Sequence, residues 1–260
     1  MQDVAVVIPA LNERLRIREV VTEALAVCPH VIVVDDGSDD GTSACIADLP
    51  ITLIRHRQRR GKGAALRSGF AQAARMGVQG VLTMDGDGQH KASDLPRLLQ
   101  AANAYPGWVV NGARLRKRAS QPLIRRIGND FGDWGIAWAC GFRMVDTQSG
   151  QRFYPRSVFT LPDVPGEGFV FEAQILISAA RRAGARLVSV PVETRYLHLE
   201  GGQFRKSHFR LVRDLASITV HVAAQILSYG HVLGQYRSTR RHRPVIYDPD
   251  GEFATVPATS

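Results

Sequence analysis

The sequence has few cysteines, and none of them stands at the spacing of metal ligands. Three of the 260 residues are cysteine, and Cys28, Cys45 and Cys140 lie far apart. An odd number without a CxxC motif argues against a disulfide framework and against a structural zinc site. We therefore expect three ordinary buried thiols in a reducing compartment.

The sequence also lacks a clear leader peptide and a clear membrane span. An apolar run starts at Val4 without a charged region or a cleavage site before it, so we expect no signal peptide. Leu215–Tyr236 has no Asp, Glu, Lys or Arg over 22 residues, just long enough to span a bilayer. Its Ser, His and Gln residues make insertion costly, so we expect an amphipathic helix at a membrane interface or packed on the core. One face of it would carry Leu215, Ile218, Val222, Ile226, Tyr229 and Leu233.

Acidic residues are scarce relative to basic ones. The chain has 33 Lys and Arg against 24 Asp and Glu, a formal net charge of +9. Such an imbalance favours an anionic partner, which is a nucleic acid, a phosphorylated substrate or a membrane surface. A soluble protein with one basic face is the alternative.

Short apolar runs alternate with segments of helical periodicity. Strands are predicted at Val4–Ile8, Val31–Val34, Ile51–Ile54, Gly80–Met84, Trp108–Gly112 and Arg186–Val192. Helices are predicted at Glu13–Val27, Thr42–Leu49, Ala64–Met76 and Glu172–Ala183, with a less regular region before the last of these and a tail from about Arg237. This rhythm predicts an α/β fold with a doubly wound, mostly parallel sheet, whose ligands bind beyond the carboxyl ends of the strands.

Two of these strands end in pairs of carboxylates. Helix capping explains the adjacent Asp35 and Asp36 poorly, because neighbouring carboxylates repel and need donors such as a ribose, a base edge or a basic side chain. Asp85 and Asp87 point to the same side of an extended chain, which suits Mg²⁺ or Mn²⁺. His90, close by, is either a further ligand or a bystander. A surface turn is the alternative for each pair, and their occurrence at two strand ends of one sheet favours a site.

Seven motifs occur in the order and spacing of family-2 glycosyltransferases. They are IPALNE, VVDDGSDDGT, GKGAALRSG, TMDGDGQH, VDTQSGQRFYPR, GFVFEAQIL and VPVETRY. From about Val4 to Arg213 the chain resembles the branch of dolichyl-phosphate mannose synthase and the polyprenyl-phosphate glycosyltransferases. The resemblance implies the GT-A fold, a UDP- or GDP-linked sugar donor, Mg²⁺ or Mn²⁺ as cofactor, and inversion at the anomeric carbon.

The resemblance also implies the residues of the donor site. Those that match the nucleotide-sugar site are Pro9, Ala10, Asn12, Glu13, Asp35, Asp36, Lys62, Asp85, Gly86, Asp87, Arg205 and Lys206, and those that match the metal site are Asp85, Asp87 and Gln89. Lys62 opens a helix whose N-terminus favours anions, and GKGA lacks the Ser or Thr of a P-loop, which excludes a Walker motif. Arg205 and Lys206 match a basic loop that closes over the donor diphosphate.

The acceptor side rests on fewer matches. Those residues are Arg114, Arg126, Gln148 and Ser149, with Glu172 and Asp146 as catalytic candidates. Gln151 stands where the family has an aromatic residue, which leaves the shape of the acceptor pocket open. Glu172 or Asp146 is either a base or an orienting acid, because a hydroxyl acceptor needs a base whereas a lipid phosphate is already anionic.

We therefore expect a metal-dependent inverting glycosyltransferase that acts on polyprenyl phosphate or another lipid-like or hydroxyl acceptor. The expected organisation is a GT-A domain at 1–213, an amphipathic helix at 214–236 and a basic, then irregular tail at 237–260. We expect a cytoplasmic protein, peripheral on the cytoplasmic face of the membrane, that binds no nucleic acid. One alternative is a phosphatase of the haloacid dehalogenase type, which Gln89 disfavours because that family has Thr or Val there. The other is a basic nucleic-acid-binding module, which leaves the acidic strand ends unexplained.

Overall fold

The computed structural model describes residues 3–115, 123–193 and 211–251, with only the backbone of residues 123–127 and 211–213. Its strands are β1 (Val4–Ala10), β2 (Val31–Asp35), β3 (Thr52–Arg55), β4 (Gly80–Thr83), β5 (Val109–Ala113), β6 (Arg152–Pro155), β7 (Leu187–Pro191) and β8 (Val245–Ile246). Its helices are α1 (Ile17–Val27), α2 (Lys62–Arg75), α3 (Leu95–Ala104), α4 (Leu123–Cys140), α5 (Arg156–Phe159), α6 (Val170–Arg182), α7 (Leu211–Ser228) and α8 (Val232–Arg241).

These strands form one sheet in the order β3-β2-β1-β4-β6-β5-β7-β8. Among them, β6 runs antiparallel to its neighbours β4 and β5, and the other pairs are parallel. The predicted α/β fold with a mostly parallel sheet is therefore confirmed. Since β1, β2 and β4 run in the same direction, the segments that follow them meet at one edge of the sheet.

Apolar side chains cover both faces of the sheet. In β1, Ala5 and Val7 face a core that also contains α2, α4 and α6, whereas Val6 and Ile8 face the core of α1 and α3. Strands that are buried on both faces carry continuous apolar runs, which is why they stand out in the sequence. The polar side chains near β1, β2 and β4 collect where those strands end.

Two predicted helices differ from the structure. The helix predicted from Glu13 begins at Ile17, because the backbone N–H of Glu13 donates to Thr42 Oγ1 at 2.8 Å and holds the preceding turn against the loop after β2. The helix predicted at Thr42–Leu49 is wrong, and a short 3₁₀ turn at Ala44–Ile46 takes its place. Carboxylates bind the hydroxyls at its start, since Thr42 donates to Asp40 and Ser43 donates to Asp35.

The region expected to be irregular before α6 is largely ordered. It contains the whole of α4 and the short antiparallel strand β6, which inserts between β4 and β5. Its strand pattern is concealed because two of its buried positions, Gln151 and Arg152, are polar. These side chains are buried by contacts with other strands, which local periodicity does not report.

The single helix predicted at Leu215–Tyr236 is two helices. After α7, Gly230 and His231 take positive φ angles of 61° and 42°, which end one helix before α8 starts. Val222 and Ile226 of the predicted apolar face are buried against the core. Within the described ranges, every helix is too short or too polar to cross a bilayer.

The described part of the predicted tail is not irregular. Helix α8 continues to Arg241, and β8 pairs in parallel with β7. Asp248 then binds Arg97 of α3 at 3.1 Å, which ties the C-terminal segment to the sheet edge. The division of the chain at residues 213 and 236 stays a prediction.

Candidate active site

The carboxylates after β2 lie beneath the surface and accept hydrogen bonds from the protein itself. Asp36 accepts from His56 Nδ1 at 2.7 Å and from the backbone N–H groups of Arg60 and Gly61 at 2.9 and 2.7 Å. Asp35 accepts from the backbone N–H of Ser38 at 2.8 Å. The donors that this acidic pair requires are thus internal, and the pair shapes the two loops that surround it.

A cavity of about 360 Å³ opens beside this acidic pair. It is lined by Gly37, Ser38, Arg55, His56 and Arg57. His56 is nearly buried, and its Nε2 lies 2.9 Å from Ser68 Oγ, so the ring links the loop after β3 to α2. Sequence reasoning missed His56, because its bond to Asp36 joins two strand ends that are separated in the chain.

The turn after β1 completes this end of the site. Asn12 takes a positive φ of 56°, and its backbone N–H donates to Ser38 Oγ at 2.9 Å. Gly86 packs against the end of β1, since a Cβ there would lie 3.3 Å from the carbonyl oxygen of Pro9 and 3.5 Å from Ala10 Cβ. The structure thereby brings together the predicted nucleoside residues Pro9, Ala10, Asn12, Glu13, Asp35 and Asp36 with the turn after β4.

Lys62 joins two carboxylates that are distant in the sequence. Its Nζ lies 2.7 Å from Asp85 Oδ1 and 3.1 Å from Glu172 Oε1, and the ring of Phe169 lies 5.8 Å from it. Burial by itself would lower the pKa of Lys62, but the two carboxylates outweigh it and raise the pKa above its usual value. The ammonium is therefore charged and placed between the turn after β4 and the first turn of α6.

Asp85 is held as a carboxylate from several sides. Burial would raise its pKa, but the charges of Lys62 and Arg152 lower the pKa to about 2. The carboxylate also lies against the backbone of Gly150, where an added Cβ would stand only 2.5 Å from Asp85 Oδ2. Only glycine allows the chain before β6 to approach Asp85 so closely.

Asp87 and Gln89 lie nearer to solvent. The backbone N–H of Gln89 donates to Asp87 Oδ1 at 3.0 Å, and the Gln89 side chain is exposed. Burial and the negative charge of Asp85 raise the pKa of Asp87. His90 is buried, its Nδ1 accepts the backbone N–H of Asp85 at 3.2 Å, and burial lowers its pKa, so it is a neutral ring that supports the turn.

The donor set of this turn fits a hard divalent cation shared with a diphosphate. Within the described ranges, no group of three or more His, Cys, Asp or Glu side chains is arranged to hold a metal ion. Asp85 and Asp87 supply two carboxylates, and Mg²⁺ commonly takes one or two carboxylates and completes its shell with water and substrate phosphate. The negative charge of Asp85 contributes to the raised pKa of Asp87. A cation bound between the two carboxylates would relieve this repulsion.

Arg152 lies buried at the centre of the site, and sequence reasoning assigned it no role. Its guanidinium donates to the carbonyl oxygens of Glu172 and Thr147 and to the hydroxyl of Tyr154. Its Nε also lies 3.3 Å from Asn111 Oδ1. One side chain of β6 thus joins β5, the loop before β6 and α6. The signal was present in VDTQSGQRFYPR, where an arginine stands directly before the apolar run Phe153–Pro155.

Two of the residues predicted for the acceptor side, Arg114 and Asp146, form a bidentate pair. Arg114 Nε and Nη2 lie 2.8 and 2.5 Å from the two oxygens of Asp146, and the Arg114 backbone N–H donates to the same carboxylate at 2.6 Å. Burial would raise the pKa of Asp146, but Arg114 lowers it below the usual value. A carboxylate held in this way orients an arginine, and it is a weak proton acceptor.

Asp133 of α4 holds the loop that carries Asp146. It accepts the backbone N–H groups of Asp146 and Thr147, both at 2.7 Å, and the Thr147 hydroxyl at 2.6 Å. Burial raises the pKa of Asp133 to about 6. Asp146 itself takes a positive φ of 52°. Asp133 was not among the sequence candidates, because its partners lie beyond the end of its own helix.

Two of the remaining residues predicted for the acceptor side, Gln148 and Ser149, lie in the loop before β6. Gln148 is exposed and packs against α4, where a Cβ on Gly132 would lie 2.6 Å from Gln148 Nε2. Ser149 is buried, and its backbone N–H donates to the carbonyl oxygen of Asp146 at 3.1 Å. Gln151 is fully buried and donates to the carbonyl oxygen of Lys91. The side chain of Arg126, and Arg205 and Lys206 entirely, lie outside the described residues.

Comparison with known proteins agrees with the motifs. A model described as glycosyl transferase family 2 matches residues 5–161. An uncharacterized protein of Methanocaldococcus jannaschii is 30% identical over 202 residues, 75% of this chain and 82% of that protein. The polyprenol monophosphomannose synthase of Mycolicibacterium smegmatis is 29% identical over 231 residues, 81% of this chain and 86% of that enzyme.

Among solved structures, the fold is similar to glucosyl-3-phosphoglycerate synthase from Mycobacterium tuberculosis in complex with Mn²⁺, UDP and phosphoglyceric acid. The TM-score is 0.59 and the identity 22%, with 87% of this chain and 78% of that chain covered. At this identity the likeness shows the GT-A fold. These matches support neither the phosphatase nor the nucleic-acid-binding alternative. The chain therefore belongs to glycosyl transferase family 2 and is a glycosyltransferase.

Proposed function

We propose that the chain transfers a sugar from a nucleotide-sugar donor to a polyprenyl phosphate, with inversion at the anomeric carbon and with Mg²⁺ or Mn²⁺. The observation that carries this proposal is the position of Lys62 between Asp85 and Glu172, at the edge of the sheet where the loops after β1, β2 and β4 meet. The similarity to a polyprenol monophosphomannose synthase supports the acceptor class.

The donor half of the site is suited to a nucleoside diphosphate. The cavity beside Ser38 and Arg55 would take the nucleoside, and the turn after β4 would take the diphosphate with its cation. The cation would be held by Asp85 and Asp87, with Gln89 next to them, and when bound it neutralises charge on the leaving diphosphate. Lys62, at the N-terminus of α2, adds a fixed positive charge on the same side.

The acceptor half is suited to an anion that needs no general base. A phosphate oxygen of the lipid forms the new bond to the anomeric carbon, and the bond from that carbon to the diphosphate oxygen breaks with its electron pair. Arg114, oriented by Asp146, would hold the phosphate. Glu172 forms an ion pair with Lys62, so we assign it the role of positioning that ammonium.

We also propose peripheral contact with the cytoplasmic face of a membrane. The side of α7 that faces away from the core is exposed and uncharged, with Val220 and Leu227 at 70% and 69% exposure between alanines and serines. The exposed arginines of α8, Arg237, Arg240 and Arg241, favour anionic lipid. On this proposal the GT-A domain ends near residue 213, and α7 is the part that contacts lipid.

Ligand-dependent melting tests the donor assignment. We expect UDP or GDP, each with its sugar, to raise the melting temperature in the presence of Mn²⁺ and to do so weakly with chelator. Asp87→Asn should remove the Mn²⁺-dependent part, whereas Asp163→Asn, at an exposed carboxylate far along the chain, should retain it. Absence of a shift with every nucleotide would contradict the donor assignment. If Asp87→Asn in chelator shows the same nucleotide-induced shift as the wild type with Mn²⁺, the metal assignment is wrong.

Transfer to farnesyl phosphate tests the acceptor. Radiolabelled sugar should pass from the stabilising nucleotide sugar to an organic-extractable product. If 3-phosphoglycerate is glycosylated and no prenyl phosphate is, the acceptor class is wrong, although the family and the donor site stand.

A further inference from the structure

A groove of about 550 Å³ lies between α4 and α8, and the loop that carries Asp146 contributes Met144 and Val145 to its lining. Its walls include Trp134, Ala137 and Trp138 of α4, Met144 of the following loop, and Tyr236 and Thr239 of α8. A volume of this size accommodates a small organic ligand rather than a few waters. Aromatic and aliphatic side chains dominate the lining, which suits a hydrocarbon.

The aromatic wall is packed in a fixed arrangement. The ring centroids of Trp134 and Trp138 are 5.1 Å apart, and those of Trp138 and Tyr236 are 5.0 Å apart. Trp138 Nε1 donates to the carbonyl oxygen of Val232 at 3.0 Å, which satisfies its polar atom within the protein. Trp134 remains 45% exposed and its neighbour Phe131 50% exposed. These packed and partly exposed rings therefore present a preformed apolar surface to the groove.

The groove adjoins the acceptor residues through α4. Asp133 lines the groove and binds the backbone N–H of Asp146, and Asp146 holds Arg114 through both carboxylate oxygens. One residue earlier, Gly132 lies against the side-chain amide of Gln148. The helix that builds the apolar wall thus also supports the residues that would hold the acceptor phosphate.

The charged residues that line the groove are two arginines and two aspartates. Arg143 and Arg240 line the groove and are exposed, and Asp130 and Asp133 are its acidic members. Asp133 is committed to the loop backbone. A ligand with a phosphate at one end and a hydrocarbon chain at the other would contact Arg114 and the aromatic wall together.

We propose that this groove binds the first isoprene units of the lipid acceptor while the phosphate lies on Arg114. The inference rests on the proposed function for the identity of the acceptor, and it adds the site at which the chain is bound. Trp134 and Tyr236 are then residues that determine preference for acceptor length.

Acceptor length is the variable that tests this site. Farnesyl phosphate has three isoprene units and dimethylallyl phosphate has one, with the same phosphate. In Trp134→Ala we expect the KM for farnesyl phosphate to rise about tenfold, as for loss of an aromatic contact, with the KM for dimethylallyl phosphate nearly unchanged. The matched control is Leu233→Ala on α8, a 69% exposed apolar residue that does not line the groove. Its KM values should equal those of the wild type.

Binding without turnover separates this inference from the proposed function. Farnesyl phosphate should quench tryptophan fluorescence saturably in the wild type and in Leu233→Ala. In Trp134→Ala the Kd obtained from quenching should be about tenfold higher. Saturable binding that depends on Trp134, without any sugar transfer, would support the groove and contradict the acceptor assignment. Equal KM changes for both chain lengths, or none, would contradict the groove. If the wild type is a dimer and Trp134→Ala is a monomer with unchanged farnesyl phosphate binding, this face is a subunit interface instead.

Discussion

The ammonium of Lys62 lies 2.7 Å from Asp85 Oδ1, so the first carboxylate of the acidic turn after β4 is already paired with a cation of the protein. The same ammonium reaches Glu172 at 3.1 Å. A positive charge between two partly buried carboxylates balances their repulsion and sets their spacing.

Replacing Lys62 should be among the most damaging single changes in the site. Lys62→Met leaves two carboxylates without their shared cation, and it removes the positive charge that would face the donor diphosphate. We therefore expect kcat/KM to fall by about 10³-fold. Steady-state transfer assays measure this loss. Arg75→Met, at the exposed end of the same helix, should retain activity. Near-normal activity of Lys62→Met would show that the ammonium has no role in transfer.

Glu172→Gln distinguishes a general base from a positioning acid. With a phosphate acceptor we expect kcat to fall by only about tenfold, because an amide oxygen still accepts from Lys62 and no acceptor proton needs removal. The pH profile of kcat should keep its shape. A loss of 10³-fold or more, as is typical on removal of a base, together with a lost acidic limb in the profile, would indicate a hydroxyl acceptor.

The pair of Arg114 and Asp146 should act on the acceptor. Asp146→Asn removes half of the bidentate contact and leaves the arginine less well oriented, so we expect the acceptor KM to rise about tenfold. The KM for the nucleotide sugar should stay within about twofold, since the donor residues lie on other loops. Equal changes in both KM values would point to a general loss of structure, which melting of the variant would reveal.

A side chain at Gly150 should displace the carboxylate of Asp85. Gly150→Ala places a Cβ about 2.5 Å from Asp85 Oδ2, so the carboxylate must move away from Lys62. Because the displaced atoms are the end of a side chain, we expect the fold to be retained and kcat to fall by about 10²-fold. Gly128→Ala in α4, where an added Cβ meets nothing within 4 Å, is the control and should keep both activity and stability. Full activity of Gly150→Ala would mean that the position of Asp85 is unimportant.

Acid should remove the stabilisation that Asp85 provides. The pKa of Asp85 is lowered to about 2, whereas an unfolded aspartate titrates at about 3.9. A carboxyl with a lowered pKa stabilises the fold above its unfolded pKa, and this stabilisation is lost as pH falls from about 4 to about 2. In urea unfolding, the difference in free energy between wild type and Asp85→Asn should therefore shrink across that window. A difference for Asp85→Asn that stays constant across this window would contradict the lowered pKa of Asp85.

The sequence by itself predicted six of the eight strands and the meeting of two acidic strand ends. Buried parallel strands are continuous apolar runs, and parallel strands end at a common edge, so the acidic segments after β2 and β4 were predictable neighbours. The family motifs then indicated the reaction class. These signals are local, since each lies within one strand and its following turn.

Tertiary structure alone decided how the site is connected. The contact between Lys62 and Glu172, the pairing of Arg114 with Asp146, and the central place of Arg152 join segments that are far apart in the chain. The same holds for the groove between α4 and α8, because the break at Gly230 and His231 turns α8 back onto α4. Local periodicity reports which face of an element is apolar, whereas the partner of each face is set by packing of the whole chain.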